Sequence, residues 1–305
     1  MRNLVFAAAL AALTATGAGA QTAKPAKPAA RPMTCPIGGG SFSYLPVAPP
    51  VVQGERPDGR PYGNVRFPIA LPECPDNGLV LYKDYDSAEA AKLGPLVASE
   101  AYQGIRKGET QYYRAYWLMR EMGEAPERYL WALLQASWEA EGKAEIRKRY
   151  LEELVDSSAK VTARPGDLGW IGMEGRAINA LRELGRFDEA LARLEKVPLA
   201  ALQAASAAGS GPQAAAQARS RRGWATFFAA IRPVIERRDS SLEPLDLLPR
   251  SVAAGRCLDR AGKLDETGRA FCDKEKTLVA ELKASRDKLA KEAEALRQSR
   301  EASGR

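Results

Sequence analysis

The chain has 305 residues, with 45 Lys and Arg against 38 Asp and Glu, a formal net charge of +7 and no histidine. The missing histidine excludes Ser-His-Asp and Cys-His catalysis, histidine metal sites and histidine proton shuttles. The basic residues are interleaved with acidic ones, and pairs such as Arg221-Arg222 and Arg237-Arg238 are short, which reads as a solvated mixed surface and argues against a nucleic-acid partner.

Met1 to Ala20 has the layout of a secretory signal peptide: Arg2 as the positive start, Leu4 to Leu13 as the apolar run, and Ala18-Gly19-Ala20 as the small-residue cleavage site. The run is too short to span a bilayer. Gln21 follows it where a lipid-anchored chain would carry Cys, and no later segment is apolar over a membrane-crossing length. The expected location is therefore exported, in a bacterial periplasm, with no membrane span. In that oxidising setting the four cysteines favour disulfides over thiolate chemistry. Gln21 to Pro32, rich in Ala, Lys and Pro, is expected to be a disordered leader.

Residues 33–86 change character. They are rich in Pro and Gly, with short β-like runs at Ser41 to Leu45, Asn64 to Ile69 and Gly78 to Tyr82, and a turn signal at Asp58-Gly59. A small β cap is expected. Two of its elements rhyme: Cys35-Pro36-Ile37-Gly38-Gly39 and Cys74-Pro75-Asp76-Asn77-Gly78. Both read Cys-Pro-x-x-Gly, the turn of a zinc knuckle in which Gly38 and Asn77 stand where the second cysteine would be. Two thiolates are too few for a tetrahedral metal site, so neither a metal nor any other cofactor is expected. Two facing knuckles would bring Cys35 and Cys74 together, and a disulfide could replace the metal. The alternatives are a Pro-rich loop with two unrelated cysteines, or a vestigial metal or thiol module, which would need a free Cys35 or Cys74. Gly38-Gly39-Gly40-Ser41 lacks the Lys and the strand-loop-helix setting of a phosphate loop.

The Cys-Pro-Ile-Gly-Gly start with Phe42, the Pro61-Tyr62 and Asn64 to Pro68 centre, and the Cys-Pro-Asp-Asn-Gly turn resemble a bacterial family of unassigned activity. In that family a two-knuckle, zinc-ribbon-like segment leads into tetratricopeptide-like helices. The resemblance runs from Cys35 to Glu141. It implies architecture and not activity, and the departures at Gly38 and Asn77 leave one cysteine of each knuckle, which puts the family's metal site in doubt in this chain.

From Ser87 the pattern is helical. Ser87 is placed to cap a helix over Ala88 to Tyr102, which Gly94-Pro95 should kink or split. Tyr112 to Glu141 reads as a helix pair turning at Gly123, with Pro126 opening the second helix. Ile146 to Val155 is a further amphipathic helix, and Arg164 to Asp167 a turn. Trp170 to Pro198 is the clearest unit. Ala177, Ile178, Leu181 and Leu184 form one apolar stripe, Gly185 turns the chain, and Phe187, Ala190, Leu191, Leu194 and Val197 form the next. Its order Leu-Gly-x-Phe-x-x-Ala resembles the second half of a tetratricopeptide repeat. Arg120-Glu-Met-Gly123 and Arg182-Glu-Leu-Gly185 repeat one helix-ending phrase, and Asp259-Arg-Ala-Gly262 echoes it.

Residues 202–220, rich in Ala, Gln, Ser and Gly, read as a flexible insertion or frayed helix ends, with helix resuming around Arg222 and Pro233 breaking or kinking it. A last hairpin over Val252 to Phe271 places Cys257 and Cys272 on opposite arms. They are a candidate pair if the Cα atoms lie about 5–6 Å apart. Lys274 to Arg300 should be one long charged helix, solvated and not a stable coiled coil, because the seam companion to Leu282, Leu289 and Leu296 fades at Ser285 and Glu292.

The expected fold is thus mainly α: tetratricopeptide-like helical hairpins over 87–272, a small N-terminal cap and a charged C-terminal helix and tail over 273–305. Carboxylate pairs such as Glu139/Glu141 and Glu152-Glu153 sit among Lys and Arg and read as solvated, and no catalytic residue is assigned. The richest aromatic cluster offers Tyr112, Tyr116, Tyr129 and Trp131 as a candidate surface for a protein or peptide partner. The leading expectation is an exported, non-enzymatic interaction or envelope-assembly scaffold. The alternative is an envelope hydrolase using two carboxylates with perturbed pKa where the cap meets the helices.

Overall fold

A computed structural model describes residues 29–204 and 211–303. The expected signal peptide and the first eight residues of the expected leader lie outside these. The described chain is mainly helical, with two small β-hairpins at its N-terminal end and a long helix at its C-terminal end. Among the described residues no helix is long and apolar enough to cross a membrane.

The first hairpin pairs β1 (Arg31–Thr34) with β2 (Ser41–Tyr44), so the last two residues of the expected leader, Arg31 and Pro32, belong to a strand. The second pairs β3 (Val52–Glu55) with β4 (Pro61–Gly63), with a register shift between Val52 and Glu55. The two Cys-Pro-x-x-Gly turns share one closing hydrogen bond and a left-handed fifth residue, and differ at the fourth, where Gly38 is left-handed (φ +82°) and Asn77 is not. In each, the cysteine N–H donates to the carbonyl five residues on, Gly40 at 2.8 Å and Leu79 at 2.9 Å. The fifth position needs the left-handed backbone that glycine tolerates, and Gly39 (φ +69°) and Gly78 (φ +73°) supply it. Cys35 and Cys74 are buried at disulfide distance, with Cα atoms 5.7 Å apart. Asn77, at the knuckle position a second cysteine would occupy, donates across to the Ile37 carbonyl at 3.3 Å.

Twelve helices follow among the described residues: α1 (Ser87–Ala98), α2 (Glu100–Gly108), α3 (Gln111–Glu121), α4 (Pro126–Glu139), α5 (Ala144–Ser158), α6 (Leu168–Glu183), α7 (Phe187–Leu194), α8 (Leu199–Ala204), α9 (Pro212–Glu236), α10 (Arg250–Asp259), α11 (Glu266–Lys274) and α12 (Lys276–Ala302). Asp86, not Ser87, caps α1, through a capping box with Glu89. Pro95 lies within α1, and the chain breaks at Ser99, whose hydroxyl caps α2. α3 to α6 pack as successive neighbours, and α9 lies against α6, α7 and α8. One apolar core runs through α3 to α9, a second joins the cap to α1–α3, and a small third surrounds Cys257.

Gly123 and Gly185 close α3 and α6 in the left-handed conformation, both at φ +74°. Gly262 does not share it: Ala261–Lys263 is a tight 3-10 turn, so the third phrase is not the same device. Helix α9 starts at Pro212, so most of the expected flexible insertion is helical, since Ala, Gln and Arg are strong helix formers and Pro suits a first helical position. Residues 205–210 lie outside the described residues. Cys257 and Cys272 face each other from α10 and α11 at a Cα separation of 5.7 Å. On α12, Leu289 and Leu296 are each 62% exposed, as a solvated helix requires.

Candidate binding groove and the polar junction

Helix α3 shows why two of the four candidate surface aromatics are internal. Tyr112 is buried, and its hydroxyl donates to the Ile69 carbonyl of the cap at 2.8 Å. Tyr116 is fully buried, and its hydroxyl donates to Glu153 at 2.7 Å. The surface reading is therefore corrected at both positions: each hydroxyl has an internal acceptor, which is what lets a tyrosine enter a core. Glu153 also accepts from Tyr113 at 2.9 Å, and Glu139 from the Tyr112 backbone N–H at 3.0 Å, so these carboxylates are structural and not merely solvated. Tyr129 is half-buried, packed on the Tyr116 ring.

Trp131 differs. It is 45% exposed and stands edge-on to Trp138, with centroids 5.4 Å apart. It forms one lip of a hollow of about 320 Å³ between α4, α6 and α9. Leu130, Leu134, Leu154 and Met173 line the hollow, and Trp224 of α9 forms another wall. The helices can approach this way because α6 carries glycine where Trp224 lies. A Cβ on Gly175 would come within 2.4 Å of that ring, and one on Gly172 within 3.2 Å. Trp224 is fixed from above by Arg176, whose guanidinium lies 5.1 Å from the ring centre. Arg176 is itself held, donating to the Pro57 carbonyl at 2.7 Å and to Glu55 at 3.0 Å. The β3–β4 hairpin therefore braces one wall of the groove. At the other rim Glu127 pairs with Arg164. The result is a preformed apolar trough with an exposed indole at its edge and charge at its rims, suited to an apolar side chain of another molecule.

The hydrolase alternative looked to the junction of cap and helices, and the charge there is dense. The turn of the second hairpin inserts Arg56 and Asp58, which are 5% and 1% exposed and form a two-pronged pair at 3.1 and 2.7 Å. Arg56 and Arg60 both hold Glu141. Arg147 bridges Glu183 at 2.5 Å and Asp58 at 3.9 Å. Arg182 is fully buried and donates to the Asp239 and Ser241 carbonyls, each at 2.7 Å, and to Asn179. Burial raises the Glu183 carboxyl above its usual range, outweighing Arg147 and Arg182. Yet Glu183 is 2% exposed and already engaged by Arg147 and Asn179.

A polar hollow of about 290 Å³ does open at this junction, and Glu141 and Glu243 both line it. Burial would raise Glu243, but hydrogen bonds from Arg256 and Tyr62, with the nearby positive charge, bring it down to about 2. A carboxylate held that low does not protonate a leaving group near neutral pH. The carboxylate with a raised pKa is sealed inside, and the accessible Glu243 is held ionised. This is the division expected of a docking joint, in which paired charges fix the cap on the helices.

Among the described residues no cluster of three or more His, Cys, Asp or Glu could hold a metal ion. The buried junction was missed in the sequence because Arg56-Pro-Asp58-Gly reads as an exposed turn. The glycines at 169, 172 and 175, three apart on one helix, were the available signal for the groove. The chain matches no protein-family model, no curated protein and no solved structure.

Proposed function

We propose that this chain is an exported, non-enzymatic scaffold of tetratricopeptide-like hairpins that holds a segment of a protein partner in the trough between Trp131 and Trp224. Its place would be the bacterial periplasm, in envelope assembly. The observation that carries the reading is the exposed Trp131 at the lip of an apolar hollow whose Trp224 wall is braced by Arg176. A large aromatic on a fixed concave surface is the usual anchor of a binding hot spot. Export is supported by the layout of Met1 to Ala20 and by two cysteine pairs at disulfide distance.

The test is crosslinking in the producing cell followed by affinity capture, with the wild-type chain and Trp131→Ala side by side. A defined protein that crosslinks to the wild type and is lost in Trp131→Ala, at nearly unchanged melting temperature, supports the proposal. Equal recovery by both chains would remove the groove from the function.

A further inference from the structure

A second hollow, of about 470 Å³, lies beside the apolar trough and shares its helix. Pro126 and Tyr129 of α4 line this one, whereas Glu127, Leu130, Trp131 and Leu134 of the same helix line the trough. The two are divided by a single ion pair, with Glu127 in the wall of the trough and Arg164 in the wall of its neighbour.

Their chemistry is opposite. The second hollow is lined by three cations, Arg120, Lys160 and Arg164, and by no carboxylate, with hydroxyls from Tyr129, Ser157 and Thr162. Arg120 is 44% exposed and Arg164 50%, so both guanidiniums stay partly solvated beyond the bonds and ion pairs they make to Tyr116, Glu121, Glu153 and Glu127. Lys160 is exposed and has no ion-pair partner among the described residues.

We infer that the segment held by this chain is an acidic peptide: one whose apolar side chain fills the trough between Trp131 and Trp224, and whose neighbouring Asp or Glu side chains reach over the Arg164–Glu127 pair to Lys160, Arg164 and Arg120. The inference rests on the proposed function and names the chemistry of its partner. Its ground is charge complementarity. A segment lying across the divide takes water from three cations, and a neutral segment returns nothing for that loss. A basic segment would add like-charge repulsion, whereas carboxylates restore the pairing and speed encounter.

The test selects a displayed random peptide library on the oxidised chain, then measures the enriched peptides against wild type, Trp131→Ala and Lys160→Glu. The result expected is enrichment of sequences with Asp or Glu beside an aromatic or branched aliphatic residue. Binding should fall roughly tenfold in Lys160→Glu, weaken with added salt, and be lost in Trp131→Ala. Lys160 makes no ion pair, so its reversal leaves the fold intact, which an unchanged melting temperature checks. Peptides that require Trp131 but carry no acidic excess, or ignore Lys160→Glu, would overturn the acidic inference and leave the groove standing. Peptides indifferent to Trp131→Ala, or no enrichment at all, would overturn both. A polyglutamate probe that binds as well as the selected peptides would reduce the basic hollow to a non-specific anion surface and overturn the inference.

Discussion

The polar junction and the apolar trough lie on the same helical body and invert the usual assignment of residues. At the junction, Arg182, Asp58 and Arg56 are buried. At the trough, a tryptophan is left almost half exposed. Each arrangement costs free energy by itself, since charges lose water inside and an indole gains nothing from facing it. The junction recovers part of its cost internally, because its carboxylates all meet arginines, although burial still outweighs the arginines at Glu183 and Arg182 Nη2 makes no hydrogen bond. The trough leaves part of Trp131 facing solvent. Under the proposed function, that asymmetry separates a joint within one molecule from a site that takes a second.

The sharpest way to break the comparison is to remove one charge from the joint. Asp58→Ala leaves Arg56 without its two-pronged partner and Arg147 without its second carboxylate, and it should cost about 3–5 kcal/mol in urea unfolding. A loss below about 1 kcal/mol would mean that the junction is solvated and not a sealed joint. Next in size is the staple of the cap. Cys35 and Cys74 are 39 residues apart in sequence, and replacing both with Ser should cost about 4 kcal/mol. The same change at Cys257 and Cys272, only 15 residues apart, should cost less, because the loop it frees in the unfolded chain is shorter.

A smaller effect follows from acid. Glu243 is held at about 2 in the folded protein against an ordinary value of 4.5. A depressed acid pKa contributes stability that is complete above the unfolded value and is lost as the pH falls through the folded one. The contact between Tyr62, Glu243 and Arg256 should therefore weaken progressively between about pH 4.5 and pH 2. Tyr62→Phe, which removes one donor to Glu243, should lower stability by about 1 kcal/mol at pH 7 and flatten part of that acid dependence. An unchanged acid limb would show that Tyr62 does not support the charge. The expected effect on stability at the trough itself is no larger. Trp131→Ala should cost about 1 kcal/mol, chiefly the edge-on contact with Trp138, because the exposed part of the ring has no packing to lose.

Much of the helical body was legible because local chemistry and packing agree there. The stripes of Trp170 to Pro198 became α6 and α7, and the repeated Arg-Glu-x-Gly phrase marked two left-handed helix ends. Where one local cue stood alone it misled. Gly94-Pro95 suggested the break that Ser99 makes, and the Ala-rich stretch read as a flexible insertion or frayed helix ends supplies residues 212–220 to the start of α9. The site was harder still. Tyr112, Tyr116, Tyr129 and Trp131 are equivalent in composition, and only the arrangement of neighbours decides exposure. A cap carbonyl takes the Tyr112 hydroxyl and Glu153 takes that of Tyr116, while Trp131 faces outward. The cations of the basic hollow come from α3, the end of α5 and the turn before α6, and no spacing in the chain announces their convergence.

The most direct measurement places a photo-crosslinking residue at position 131 in the producing cell, with the same residue at Leu289, a more exposed apolar position on the solvated helix, as control. A docking trough predicts one adduct of defined mass from position 131, absent at Leu289 and competed by the peptides selected on the purified chain. The same adducts from both positions, or none from position 131, would contradict it and return Trp131 to the ordinary exposed surface.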